Sequence, residues 1–367
     1  RTPLFSWSLL VGGTVWLLTP PGLAGVLLST YLDLRYGQQF LGGAGGVYNR
    51  VTWLFWQPTL YVFAVPALGV IADVVPVFAR RRHQRHAAAM VLIGLAGALG
   101  FGAWAQLGAS VDGSNSPTPW LFEGPWIVVG FLAIVPVLGL LGLWTGTLVK
   151  GKVRLGTPLI LAQLAGLLIL AGIAAGGATV IEDLDLDNTT WMTAQALLVL
   201  GGALLAGLAG VAFWAPKIYG KLLPDGLTRL GGTLVFLGAL VAAVPQAVAG
   251  TLGQLRFVAG GIEGVAAGDI DTVETLDLVS GVGLALMVLG GLAVAAALAK
   301  RRKGDGPGDD PWEGHTLEWA TSSPPPVGNF ATLPAVTSEA PHYDARHARA
   351  AATTEPGTAT ARTEASD

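Results

Sequence analysis

The sequence contains no cysteine. That excludes disulfides, iron–sulfur clusters and thiolate metal sites. Charge is scarce as well. Asp, Glu, Lys and Arg make up 12% of the 367 residues, about half of the roughly 25% found in soluble domains. There are five histidines (His83, His86, His315, His342 and His347) and three methionines (Met90, Met192 and Met287). Copper and haem iron take imidazole, thiolate or thioether ligands, so the supply of such groups is small. No signal-peptide pattern is present, because the first apolar run is too long for one. The chain begins with Arg1 instead of methionine, and is expected to be a fragment or a processed product.

What is present is apolar side chain. Hydrophobic residues make up 52% of the chain and mean hydropathy is +0.58, which places it in a membrane. About eight runs reach the roughly 20 apolar residues that cross a hydrocarbon core. They lie at Leu4–Thr30, Val51–Val77, Ala87–Ser110, Glu123–Val149, Leu155–Ile181, Thr190–Ala215, Leu230–Leu255 and Val279–Leu298. Strands span only as closed barrels with alternating residues. These runs are continuously apolar, so the expected fold is all-α, a polytopic transmembrane helix bundle over residues 1–300.

The loops alternate in charge. Basic residues follow the second run (Arg80, Arg81, Arg82, Arg85), the fourth (Lys150, Lys152, Arg154), the sixth (Lys217, Lys221, Arg229) and the eighth (Lys300 to Lys303). The intervening loops are poor in basic residues. One carries Glu182, Asp183, Asp185 and Asp187; another carries Glu263, Asp269, Asp271, Glu274 and Asp277. The positive-inside rule then puts both chain ends in the cytoplasm. Gly42–Gly46 reads as an outer connecting loop, not a phosphate cradle, because no strand precedes it. Gly201, Gly202, Ala206, Gly207 and Gly210 read as helix-packing positions. The stretch 301–367 is rich in Pro, Ala, Thr, Ser and Asp; it is expected to be a cytoplasmic, disordered tail.

None of the five histidines lies in a predicted span. His83 and His86 are flanked by arginines, which oppose a bound cation, and read as a solvated anchor loop. Ionisable groups in the spans are nearly absent; Asp73 sits near a cytoplasmic end and Glu123 begins a span. This disfavours a proton pump, and no charged ring or filter points to a channel.

Three stretches carry a family resemblance. The first is Tyr48 to Tyr61, with Trp56, Gln57 and Pro58 at its centre. The second is Pro3–Ser8. The third is Asp310–Thr321, followed by Pro324, Pro325, Pro326, Asn329 and Phe330. Together they resemble subunit I of the haem–copper respiratory oxidases, over the last eight of that family's twelve spans. The resemblance implies haem and copper, electron transfer from cytochrome c to oxygen, and proton translocation. It also implies where the ligands belong, and there the chain departs from the pattern. Gln57, Gln106 and Leu107 stand at the copper-ligand positions. Gln195 and Leu197 stand at the axial haem-ligand positions. Thr59 replaces the proton-delivering glutamate, while the tyrosine position is kept as Tyr61. Of the two arginines that hold haem propionates, Arg256 remains. Val137 and Leu140 occupy the threonine and lysine positions of the second proton route. Asp187-Asn188 stands where the family has its outer magnesium pair.

The resulting expectation is a membrane protein of oxidase subunit I type without haem or copper. Its role is a non-catalytic scaffold or assembly partner in the aerobic respiratory chain. Expected partners are the lipid bilayer and other respiratory oxidase subunits, with no nucleic acid, and the expected location is the cell membrane. Two alternatives stand beside it: a working cytochrome c oxidase subunit, and a small-molecule transporter or binding protein using an amide-lined pocket at Gln57, Gln106 and Gln195.

Overall fold

The structure is a computed structural model that describes residues 2–37, 43–102, 128, 130–256, 267–300, 307–330 and 333–354. In these residues the chain is helical. The helices are α1 (Leu4–Tyr36), α2 (Gly43–Phe78), α3 (His86–Gly102), α4 (Ile134–Val149), α5 (Thr157–Ala178), α6 (Thr190–Tyr219), α7 (Asp225–Thr251), α8 (Ala267–Lys300) and α9 (Pro341–Thr354). Seven of the described helical stretches are long and apolar enough to cross a membrane, and α3 is a shorter apolar helix. Helices satisfy every backbone group within one segment, which lipid demands. α2 nonetheless runs on through Pro58, Pro66 and Pro76, each of which frees a carbonyl that surrounding groups must satisfy.

α2 is the hub. It packs against α1, α3, α4, α5 and α6, and its spanning part is 78% buried. The chain then stacks in order, α5 on α6, α6 on α7 and α7 on α8. Glycine supplies the closeness. A Cβ at Gly202 would lie 2.9 Å from the Ala165 carbonyl oxygen of α5, and one at Gly201 would lie 2.8 Å from the Ala239 Cβ of α7. Gly210 faces Val70 and Trp214, whereas Gly207 faces open space. So three of the four α6 glycines serve packing and the fourth does not.

Three sequence expectations are corrected. Residues 43–46 belong to the first turn of α2 and not to a loop. The acidic residues Asp269, Asp271, Glu274 and Asp277 belong to α8. Both errors have one cause: hydropathy marks the part of a helix inside hydrocarbon, while the hydrogen-bonded helix continues past it. The third correction concerns the tail. Over 307–330 and 333–354 it is ordered and docked on the basic end of the bundle. Trp319 is 1% exposed and meets Phe213 edge to face, with ring centroids 5.1 Å apart. The Trp312 Nε1 donates to the Phe213 carbonyl oxygen at 2.9 Å. The Lys217 Nζ donates to the carbonyl oxygens of Asp309 (2.8 Å) and Thr321 (2.6 Å). Arg82 pairs with Asp344 at 2.8 Å. Composition averaged over a polar segment hid these few anchors.

Docking also buries two histidines. His83 and His315 line one small cavity with Asp73, Glu339 and Arg82. Burial comes first among the causes that lower both. His83 falls to about 4, with His86 adding to the drop and Glu339 opposing it. His315 falls to about 3, with Arg346 adding to the drop and Asp310 opposing it. A histidine lowered in the folded state takes up protons more readily once released. The contribution of these two histidines to docking is therefore fully present above about pH 6.5. It weakens as pH falls from there toward about 4 for His83 and about 3 for His315, by up to about 1.4 kcal/mol per histidine per pH unit. Hydrogen exchange over residues 333–354 should be markedly faster at pH 5 than at pH 7.5, after correction for intrinsic rates. Equal protection at both values would contradict the assignment.

Candidate functional site

The residues expected at metal positions fall partly together. Gln57 of α2 and Gln195 of α6 are each 2% exposed. They meet directly: the Gln195 Nε2 donates to the Gln57 Oε1 at 3.4 Å. α5 makes room for this pair through glycine. A Cβ at Gly176 would lie 2.4 Å from the Gln195 Nε2, and one at Gly172 would lie 3.0 Å from the Gln195 carbonyl oxygen. The two glycines are four apart and share one helix face. That spacing was available in the sequence; what it faces was not.

Tyr61, one turn beyond Gln57, is 3% exposed. Gly100 of α3 accommodates its ring, since a Cβ there would lie 2.6 Å from the Tyr61 Cγ. Thr59 is half-buried, and its hydroxyl donates to the Phe55 carbonyl oxygen of its own helix. Leu197 is half-buried on a different face of α6 from Gln195, because two residues turn a helix by about 200°. Val137 and Leu140 are wholly buried in the apolar core. Trp104, Gln106, Leu107 and Glu123 lie outside the described residues.

Arg256 is brought to the same region from the far side. It is 7% exposed, and its guanidinium carbon lies 5.3 Å from the centre of the Trp56 ring. Its backbone is clasped to the loop before α6. The Arg256 N–H donates to the Asn188 carbonyl oxygen at 2.8 Å, and the Thr190 N–H donates to the Gln254 carbonyl oxygen at 2.9 Å. The Asn188 side chain donates to Asp187 at 3.0 Å. Burial raises the Asp187 carboxyl, opposed by a hydrogen bond from the Asn188 backbone and by the Arg256 charge. Two contacts thus lie near the acidic end of the bundle, Arg256 over the Trp56 ring and Gln195 with Gln57.

At the opposite end Asp73 accepts from the backbone of Leu4 and Phe5 and caps α1. The basic loops after α2, α4 and α6 gather here: Lys152 N–H donates to Ala79, and Arg81 donates to Lys150.

The donor set is amide and hydroxyl. Among the described residues no three His, Cys, Asp or Glu side chains form a group suited to a metal ion. Of the methionines, Met287 packs against Gly201 and Gly238, Met90 joins the apolar core, and Met192 is buried on α6 three residues before Gln195. The Gln57 oxygen, the one atom of that side chain suited to a cation, accepts from Gln195.

A buried amide pair inside a multi-span helix bundle defines a polytopic membrane protein with an internal polar contact. The chain belongs to the family described as Cytochrome C and Quinol oxidase polypeptide I, whose pattern it matches over residues 1–289. It is 30% identical to "Cytochrome c oxidase subunit 1" of Bacillus subtilis (strain 168), over 92% of this chain and 54% of that protein. It is 31% identical to "Probable cytochrome c oxidase subunit 1-alpha" of Streptomyces avermitilis, over 96% of this chain and 60% of that protein. It is 29% identical to "Cytochrome c oxidase subunit 1" of Synechocystis sp., over 90% and 59% respectively. The chain therefore spans little more than half the length of the curated relatives it matches.

The amide pair makes a measurable prediction. Changing Gln57 alone to leucine leaves a buried Gln195 amide unsatisfied and should cost about 1–3 kcal/mol. Changing Gln57 and Gln195 together to leucine should cost less than the sum of the two single changes, since their mutual bond is lost only once. Denaturant unfolding of the single and double variants checks this; simple additivity would contradict the pairing.

Proposed function

We propose that this chain is a haem- and copper-free member of its family, acting as a non-catalytic scaffold or assembly partner within a respiratory oxidase complex. The observation that carries the reading is the direct, buried Gln57–Gln195 hydrogen bond between α2 and α6. The residues present do not fit haem or copper. The positions where the family resemblance expects ligands hold Gln57, Gln195 and Leu197, together with Gln106 and Leu107. Amides are poor ligands for these metals and leucine is none. Val137 and Leu140, wholly buried, offer no proton route. Arg256 in this reading stacks on Trp56 in place of holding a propionate.

The gathering of Arg80–Arg82, Lys150 and Lys152 at one end supports a cell-membrane protein with that end, and both chain ends, in the cytoplasm. Its expected contacts are lipid and other oxidase subunits. A tagged chain purified from its native membrane should bring down oxidase subunits in fixed proportion. Recovery of the chain alone, or a working oxidase containing it as the only subunit I, would overturn the proposal. The latter result would establish instead a cytochrome c oxidase subunit transferring electrons to oxygen.

A further inference from the structure

At the basic end the tail does more than cover the bundle. It completes a cleft of about 430 Å³, within the roughly 300–1,000 Å³ range of ligand sites. Arg80 and Arg81 come from the end of α2. Lys150 and Lys152 come from the α4–α5 loop. Arg346 and His347 come from α9. Glu313 is the carboxylate among the lining residues.

Two features set this cleft apart from an ordinary basic loop. The first is unmet charge. Arg82, Arg229 and Arg346 pair with Asp344, Asp225 and Asp310. Among the described residues Arg80, Arg81, Lys150 and Lys152 form no ion pair. The second is rigidity. Lys152 N–H donates to the Ala79 carbonyl oxygen at 3.0 Å and Arg154 N–H to that of Phe78 at 2.8 Å. A Cβ at Gly151 would lie 2.3 Å from the Ala79 carbonyl oxygen, so this closeness requires glycine. The Arg81 Nη1 donates to the Lys150 carbonyl oxygen at 3.0 Å, which ties the two rims together. Arg80 holds a φ of 52°, uncommon outside glycine. On the α9 side, Arg346 is fixed by Asp310 (3.1 Å) and by the Glu313 carbonyl oxygen (2.9 Å). Four like charges gathered on one cleft repel one another unless an anion joins them, and a backbone fixed in advance lowers the cost of binding.

We propose that this cleft binds a phosphate-bearing polyanion with two or more phosphate groups. Guanidinium forks suit phosphate oxygens bidentately, and lysines add point charge. Four unpaired cations match two phosphates better than one. The same chemistry is offered by a soluble polyphosphate and by the headgroup of a diphosphatidyl lipid. The inference does not depend on whether the chain is catalytic.

The experiment uses the full chain in nanodiscs of zwitterionic lipid, titrated with inorganic tripolyphosphate by calorimetry at physiological ionic strength. A parallel arm uses native mass spectrometry of chain reconstituted with diphosphatidylglycerol. The cleft variant is Lys150→Gln with Lys152→Gln. The control, Arg85→Gln with Lys221→Gln, removes equal charge from the same end outside the cleft. Tripolyphosphate binding that weakens about tenfold or more in the cleft variant, and under about twofold in the control, supports a soluble ligand. No tripolyphosphate binding, but retention of diphosphatidyl lipid that only the cleft variant loses, supports a headgroup. Equal losses in both variants would show general surface charge and overturn the proposal. So would failure of both probes to bind.

Discussion

Replacing Gly283 and Gly290 together by leucine is expected to separate α8 from α7. These helices touch backbone to backbone. A Cβ at Gly283 would lie 2.3 Å from the Ala242 nitrogen and 2.7 Å from the Gly238 carbonyl oxygen. One at Gly290 would lie 2.5 Å from the Gly231 carbonyl oxygen. Backbone cannot step aside as a flexible side chain can. Gly231 and Gly238 are seven apart, as are Gly283 and Gly290, so each helix presents one smooth stripe. In lipid, where water does not push helices together, such closeness is the main attraction available. Two polar contacts fix the register along it: Ser280 donates to the Ala242 carbonyl oxygen at 2.9 Å, and Gln246 donates to Asp277 at 2.7 Å. Each leucine should cost about 1–3 kcal/mol, with the upper end favoured by the rigid target. Gly281 and Gly291 have open space around the added carbon, so leucine there should leave stability almost unchanged. Unfolding curves in detergent for the two double variants check this; equal behaviour would refute the packing.

Trp319→Ala should release the tail. Trp319 sits between Phe213 and the Lys217 ammonium, which lies 5.4 Å from the ring centre. Gly314 presses on the ring from the other side, and a Cβ there would lie 2.2 Å from it. Loss of a buried tryptophan costs about 3–5 kcal/mol. Trp312 still packs on Phe78 and donates to the Phe213 carbonyl oxygen, but the most deeply buried anchor of residues 307–330 is gone. Lys217, 3% exposed, would lose the carbonyls that satisfy its ammonium. Trypsin should then cut at Arg346 and Arg349 many times faster than in the parent chain, while the bundle keeps its helical signal. Val327→Ala, at a fully exposed side chain, should change nothing. A protected tail in Trp319→Ala would show that the bundle holds it by other means.

The membrane fold was legible because lipid imposes one rule on every span. Apolar runs located the helices, and alternating basic loops anticipated that Arg80–Arg82, Lys150–Arg154 and Lys217–Arg229 would share one end. Helix ends were less legible, as residues 43–46 and Asp269–Asp277 show, since hydrogen bonding carries a helix beyond the apolar stretch. The tail was misread because disorder was judged on average polarity, while Trp312, Trp319 and His315 act singly. At the polar centre, the family resemblance is what singled out Gln57 and Gln195. Their mutual hydrogen bond depends on α2, α5 and α6 approaching through Gly172 and Gly176. Three-dimensional proximity of that kind leaves no mark in either local sequence.

Metal and haem content of the purified full chain bears most directly on the whole account. Elemental analysis together with the pyridine haemochrome spectrum should find copper and haem far below one per chain, with no Soret band that tracks the protein through purification. One copper and at least one haem per chain, retained by the parent and lost in the double Gln57→Leu, Gln195→Leu variant, would contradict it.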